Sequence, residues 1–291
     1  MTKPILIPQI DGDWWTIASN PDLGAYNSER QQPMDFGIWQ AADSTWQLGA
    51  CVRRTNCGGK GRLLYRWQSD ALTDRNWQAM GIMLEADTNY GETIGGLQAP
   101  YVIRSDGQYF MFYGDWVHIC MALSWDGKTF SRQLNNNGLS DLFTEGVQQS
   151  TRDPMLMAFG NTYYLYYTGV RDGTGAIYCR TSEDLRHWGN STIVSRGGSG
   201  GSGPCDAECA FVMFLPEVES FYLLRWHSDG QTSVFCSTNP LDFGIDDDRY
   251  KICTLQAEVA RIIHCNQKYY ISSVHTNYTG MKLANLSWVA P

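Results

Sequence analysis

The sequence contains no basic run: its 22 lysines and arginines are outnumbered by 30 acids, for a net charge of −8. Nucleic acid and anionic membrane both need concentrated positive charge, so neither is expected as a partner. No apolar stretch approaches the ~20 residues that span a bilayer, and the opening MTKPILIPQIDGDWW lacks the long apolar region of a secretory leader. A cytoplasmic protein is expected. No long amphipathic helical pattern competes with strand assignments. The nine cysteines include no paired CxxC motifs. Cys205 and Cys209 flank Glu208, but zinc would need two more ligands at that spacing, so the cysteines read as reduced thiols acting as small hydrophobes.

Aromatic residues are abundant instead, with 11 Trp and 16 Tyr. Flat rings suit packed sheets and also suit stacking on sugar rings. A chain of 291 residues buries roughly 75% of its unfolded surface as a single domain, so core size is no obstacle.

The organising feature is an internal repeat. A polar or acidic residue opens a run of β-formers, a short turn follows, and a second aromatic-rich strand begins. The copies start at Asp35 (DFGIWQAADSTWQL), Gln98 (QAPYVIRSDGQYFMFY), Asp153 (DPMLMAFGNTYYLYY), Glu208 (ECAFVMFLPEVESFYLL) and Glu258 (EVARIIHCNQKYYIS). From the opening residue to the aromatic of the second strand the spacings are 11, 11, 10, 13 and 11. The longer fourth copy carries extra turn residues at positions 216–219, where a hairpin tolerates insertion. A second shared element follows each copy: WQSDALTDRNW, LSWDGKTF, RTSEDLRHW, CSTNPLDF and a truncated NLSW. Each reads as a third strand, a polar turn and an aromatic leading into a fourth strand.

Repeats of 63, 55, 55 and 50 residues each hold four short strands. The fold expected is therefore all-β, a five-bladed β-propeller occupying residues 1–291 as one catalytic domain. The fifth copy has only 34 residues, enough for about three strands. The N-terminal segment is expected to complete blade five. The glycine-rich RGGSGGSGP at 196–204 reads as a flexible loop before blade four, near the mouth of a site. The acidic run at 246–248 reads as a solvated turn.

If the opening residue of each copy marks the same end of the innermost strand, then Asp35, Gln98, Asp153, Glu208 and Glu258 face one axis. Four acids on a narrow axis repel each other, a cluster that marks catalysis or cation binding.

These residues and spacings resemble the five-bladed propeller glycoside hydrolases of families 32, 43 and 117. RDP at 152–154 and EC at 208–209 match two family 32 motifs. For the third, an aspartate in NDPNG, Asp22 imitates the letters but lies 13 residues too early. Asp35 in PMDFG keeps the spacing to the next strand and is preferred. The resemblance implies a glycosidase cleaving the end of an oligosaccharide or polysaccharide with paired carboxylates. It makes Glu208 the general acid, Asp35 the base or nucleophile, and Asp153 the group that orients and tunes the acid. Arg152 then binds substrate hydroxyls or balances charge.

Further substrate-binding candidates are Gln98 and Glu258, which share the axial register, and Trp39 and Trp116, which offer rings for stacking or for the core. His118 is either a pocket residue or a turn cap. Arg171 and Arg225 suit a substrate carboxylate or phosphate. Family 43 resemblance implies a structural Ca2+ or other cation on the axis, with His275 as candidate ligand and an ordinary loop histidine as the competing reading. Family 117 resemblance makes His118 or His275 the acid in place of Glu208. No organic cofactor is required. Family 32 proteins carry a further C-terminal β-sandwich, which favours the single-domain arrangement of families 43 or 117 here. The expected partner is carbohydrate. The alternatives are a non-catalytic carbohydrate-binding propeller and a glycoside phosphorylase. The first predicts loss of the axial acids; the second requires a basic phosphate pocket.

Overall fold

The computed structural model describes residues 5–146 and 150–291. The protein is all-β, a five-bladed β-propeller of antiparallel sheets. The N-terminal strand β1 spans Ile7–Ser19. Blade one comprises β2 (Gln32–Gln40), β3 (Trp46–Arg53), β4 (Leu63–Ser69) and β5 (Gln78–Leu84). Blade two comprises β6 (Gln98–Ser105), β7 (Gln108–Gly114) and β8 (Ile119–Ser124), with two short strands, β9 (Ser131–Arg132) and β10 (Asp141–Phe143), both pairing with β8. Blade three holds β11 (Thr151–Phe159), β12 (Thr162–Arg171), β13 (Thr174–Ser182) and β14 (Thr192–Ser195). Blade four holds β15 (Glu208–Leu215), β16 (Ser220–Trp226), β17 (Thr232–Ser237) and β18 (Lys251–Leu255). Blade five runs β19 (Glu258–Cys265), β20 (Lys268–Val274) and β21 (Gly280–Val289), and takes β1 as its fourth strand in the order β1-β21-β20-β19. The N-terminal segment therefore completes blade five, as strand counting requires.

Burial follows strand position. In blade four, β16 is buried at every residue except its last. A strand covered on both faces reads as a continuous apolar run rather than an alternating one, as FYLL at 221–224 does. The outer strand β5 is exposed or half-exposed except at Leu84. Its register against β4 shifts twice, and such irregularities blunt an edge against pairing with other chains. The longer turn of blade four is a single 3-10 turn, Pro216–Val218, closed by Glu219 in the left-handed region.

The polar turns after the third strands are held by side chains. Asp126 Oδ1 accepts from the Lys128 and Thr129 amides, and Asp184 Oδ1 accepts from those of Arg186 and His187. Short acidic side chains that satisfy backbone donors explain why Asp recurs at these turns.

The chain divides into two compact units. The first comprises residues 1–15, 155–273 and 283–291; the second comprises 16–154 and 274–282. The second unit has a continuous core in which Trp39, Cys51, Leu64, Leu97, Tyr113 and Cys120 pack together. In the first, the buried apolar residues come mainly from β11–β13, β15–β17 and β19–β21.

Candidate active site

A local backbone event recurs in all five blades. Asp35, Ala99, Asp153, Cys209 and Val259 each have positive φ, between 41° and 56°. The ladder register slips at the same place, between Met34 and Phe36, Gln98 and Tyr101, and Glu208 and Phe211. The innermost strands of blades one, two and four thus carry a bulge, and all five have a pivot residue in the left-handed region, a conformation that is costly for non-glycine residues and most of all for β-branched Val259. Strain repeated at equivalent positions is a feature of functional sites.

The pivot falls at different letters of the five copies. Asp35 and Asp153 are the pivots, whereas Gln98, Glu208 and Glu258 each precede theirs by one residue. The five opening residues are therefore offset by one position relative to the backbone pivot, Asp35 and Asp153 on it and the other three just before it. The sequence repeat aligned polar residues and was blind to backbone sign.

In the second unit, Asp35 and Asp153 are 5% and 2% exposed. One carboxylate oxygen of each lies within 4.8 Å of the other. Two acids buried this closely repel unless positive charge or a proton intervenes. Arg152, itself buried, brings Nε to 3.7 Å from Asp153 Oδ2. Gln98 is completely buried, and neither polar atom of its amide makes a hydrogen bond. A buried amide without partners is expensive and uncommon.

Trp39 is a core residue rather than a sugar platform. It is 6% exposed, its Nε1 donates to the Gly127 carbonyl at 2.8 Å, and its ring meets Phe130 edge-on. Trp116 is half-buried in the β7–β8 loop with φ of 87°. Next to it, His118 is both pocket-side candidate and turn member: its Nδ1 lies 3.1 Å from Asp115 Oδ2, and that hydrogen bond raises its pKa. His275 is half-buried, with Nε2 3.1 Å from Thr16 Oγ1. Burial lowers its pKa. Among the described residues it joins no group of three metal-ligating side chains.

In the first unit, half-buried Glu208 sits on a firmly held backbone. The Cys209 amide donates to Thr168 Oγ1 at 3.1 Å, and buried Arg261 donates to the carbonyls of Cys209 and Ala210 at 3.2 and 2.8 Å. Glu258 is similarly anchored, exchanging backbone hydrogen bonds with Ser273 Oγ. Arg171 is exposed at the tip of the β12–β13 hairpin.

Arg225 is 1% exposed and turned to the interior: it donates to Ser195 Oγ at 2.9 Å and to the Gly197 carbonyl at 2.8 Å, while its buried Nε has no hydrogen-bond partner. Burial pulls its pKa down to about 10. It is a strut for the glycine-rich loop, not a surface cation awaiting substrate. The loop at 196–204 is itself pinned rather than loose. Asp248 accepts from the Ser199 amide, Asp206 accepts from the Gly203 amide, and Arg196 pairs with Asp246 at 2.8 Å. The acidic run is thus the loop's fastening and not merely a solvated turn.

Sequence reasoning passed over Lys60 and Arg62, both within 5.1 Å of the centre of the Trp116 ring. The signal was present in CGGKGR at 57–62, where glycines surround two cations.

The model of the glycosyl hydrolases family 32 N-terminal domain matches residues 65–277. No curated protein sequence matches the chain. Solved structures with similar folds include a thermostable family-43 glycoside hydrolase, 17% identical over 93% of this chain and 92% of that one, with a TM-score of 0.66. A family 117 glycoside hydrolase from Zobellia galactanivorans is 10% identical over 99% of this chain and 92% of that one, with a TM-score of 0.65. A variant of the family 32 β-fructofuranosidase of Bombyx mori, in complex with sucrose, is 15% identical over 94% of this chain and 60% of that one, with a TM-score of 0.61. At such identities the structural likeness is one of fold.

Proposed function

From the premise that this chain belongs to the glycosyl hydrolase family 32 N-terminal domain family, and is a glycoside hydrolase acting on carbohydrate, we propose that Asp35, Asp153 and Glu208 form its catalytic set. The observation that carries this reading is the buried Asp35–Asp153 pair at the strained pivots of two blades. A structural role explains neither the burial of two like charges nor the recurrent strain.

In this mechanism Glu208 protonates the departing glycosidic oxygen, since a poor leaving group needs a proton as the bond breaks. Asp35 serves the opposite face of the sugar, as base toward water or as nucleophile at the anomeric carbon. Asp153 holds the acid in its working orientation, and Arg152 moderates the negative charge of the pair. The unpartnered amide of Gln98 is suited to a sugar hydroxyl, which both donates and accepts. The substrate is the end of an oligosaccharide or polysaccharide, and acid–base hydrolysis of this kind needs no organic cofactor.

The test uses a panel of aryl glycosides with the Asp35→Asn and Glu208→Gln variants. Each is expected to lower kcat/KM by about 10³-fold, the scale of a lost general acid or base. Following the anomeric proton of the first product by NMR then separates inversion from retention, and so decides between base and nucleophile for Asp35. Wild-type rates in both variants would sink the assignment.

A further inference from the structure

Two loops of the second unit bring an unusual group together. The loop between β3 and β4 carries Lys60 and Arg62, and the loop between β7 and β8 carries Trp116. Lys60 Nζ stands 4.9 Å from the centre of the Trp116 ring, and the Arg62 guanidinium carbon stands 5.1 Å from it. Two like charges against one ring repel each other. Elsewhere several cations of this acidic chain have carboxylate partners: Lys128 has Asp43, Arg132 has Glu92 and Arg196 has Asp246. Among the described residues, neither Lys60 nor Arg62 is paired with a carboxylate.

The group is built rather than accidental. The amides of Lys60 and Arg62 donate to the carbonyls of Ile94 and Gly95 at 3.0 and 2.9 Å, so the first loop is fastened to the strand entry of blade two. A Cβ on Gly96 would come within 2.7 Å of the Asp115 carbonyl and 2.9 Å of the Trp116 Cβ, a closeness only glycine allows. Trp116 itself sits at φ 87°, an outlier for a bulky residue, in a turn closed by Asp115 Oδ1 on the amides of Val117 and His118. Arg62 and Asp35 share a neighbour in Cys51. The buried Cys51 thiol faces Met34 across the ladder, and Arg62 and Asp35 act on it with opposite sign.

We infer that Lys60, Arg62 and Trp116 form a subsite for an anionic substituent, a carboxylate or sulfate, on the saccharide that this enzyme cleaves. The inference rests on the hydrolase reading of the Asp35 site. The guanidinium offers a fork of donors that matches oxyanion geometry, and the ammonium adds a second charge held in place by the ring. A neutral sugar would leave both cations without a counter-charge.

The test measures binding of D-glucose, D-glucuronate, D-glucose 6-sulfate and inorganic phosphate to the full chain by calorimetry at low ionic strength. Glucuronate or the sulfate ester is expected to bind about tenfold tighter than glucose, ~1.4 kcal/mol. The arm that wins identifies the anion. The advantage is expected to shrink as salt is added and to vanish in the Lys60→Gln/Arg62→Gln double variant. Equal binding of glucose and both charged sugars overturns the proposal. So does an advantage that survives the double variant, or phosphate binding as tightly as the sugars. A Glu208→Gln protein that is inactive but shows no charged-sugar preference keeps the hydrolase and discards the subsite. A charged-sugar preference in an enzyme whose Asp35→Asn and Glu208→Gln variants stay active keeps the subsite and discards the catalytic assignment.

Discussion

Arg225 and Arg62 stand near the ends of inner strands in two different blades, and their surroundings use the same guanidinium differently. Arg225 has almost no exposure, stacks on Phe235 at 4.7 Å and spends its donors on Ser195 and the Gly197 carbonyl. Arg62 is half-buried against Trp116, next to another cation, with no acid to meet it. The loop that Arg225 holds is fastened by three aspartates, Asp206, Asp246 and Asp248. The loop that carries Arg62 is fastened without carboxylates, by its backbone and by the side chains of Thr55, Asn56 and Cys57. A buried cation tied to the loop it carries stabilises the fold, whereas one half-exposed on a ring with no carboxylate partner is available to a ligand. The difference lies in the partners and not in the residue type.

The comparison breaks most readily at Arg225. Arg225→Met leaves two buried acceptors unmet, and the expected loss is about 2–3 kcal/mol of stability, read from denaturant unfolding. Arg62→Gln is expected to shift stability by no more than about 0.5 kcal/mol, as surface changes usually do. Equal losses in the two variants would erase the distinction.

A somewhat smaller effect is expected from Gly200→Ala. A Cβ there would lie 2.2 Å from the His227 ring, which is itself held between the Asp206 carbonyl and Ser233 Oγ. Overpacking against a pinned ring costs about 1–3 kcal/mol, so a lowered Tm is the expected reading. An unchanged Tm would show that the ring gives way and that the loop is less firmly held than its hydrogen bonds indicate.

The smallest effects separate two histidines by sign. Burial, with Arg225 nearby, lowers the pKa of His227. Its proton is bound more weakly in the folded state, so stability falls as pH drops below the unfolded value of about 6.5. The hydrogen bond to Asp115 raises the pKa of His118. Its contribution is full below about 6.5 and fades as pH rises through the folded pKa. Between pH 8 and pH 5, His227→Gln is therefore expected to flatten the acid loss of Tm, and His118→Gln to steepen it. Slopes that change in the same direction would contradict the opposite environments assigned to the two loops.

The propeller was legible because its information is local. Each blade is a run of hairpins, and turn chemistry and aromatic spacing act over a dozen residues, so the copies beginning at Asp35 through Glu258 could be counted from the chain. The shortfall in the fifth copy pointed to the N-terminal segment by arithmetic, and β1 supplies that strand. The site was legible only in part. Letters alone aligned Glu208 with Asp35, but the bulge pivot falls on Asp35 itself and on Cys209, one residue beyond Glu208. Trp39 and Trp116 read alike in the sequence, yet one fills the core and the other braces two cations. The glycine-rich loop looked slack because glycine is free in an unfolded chain, and the aspartates that fasten it lie as far as residue 248.

By itself, then, the sequence determined strand content, blade count and the residue types offered to a site, since periodicity and turn preference are properties of neighbouring residues. Tertiary structure alone decided which tryptophan was buried, which arginine was consumed and which acid became a pivot. Those outcomes depend on partners dozens of residues away and on the sign of φ, and neither is written in local composition.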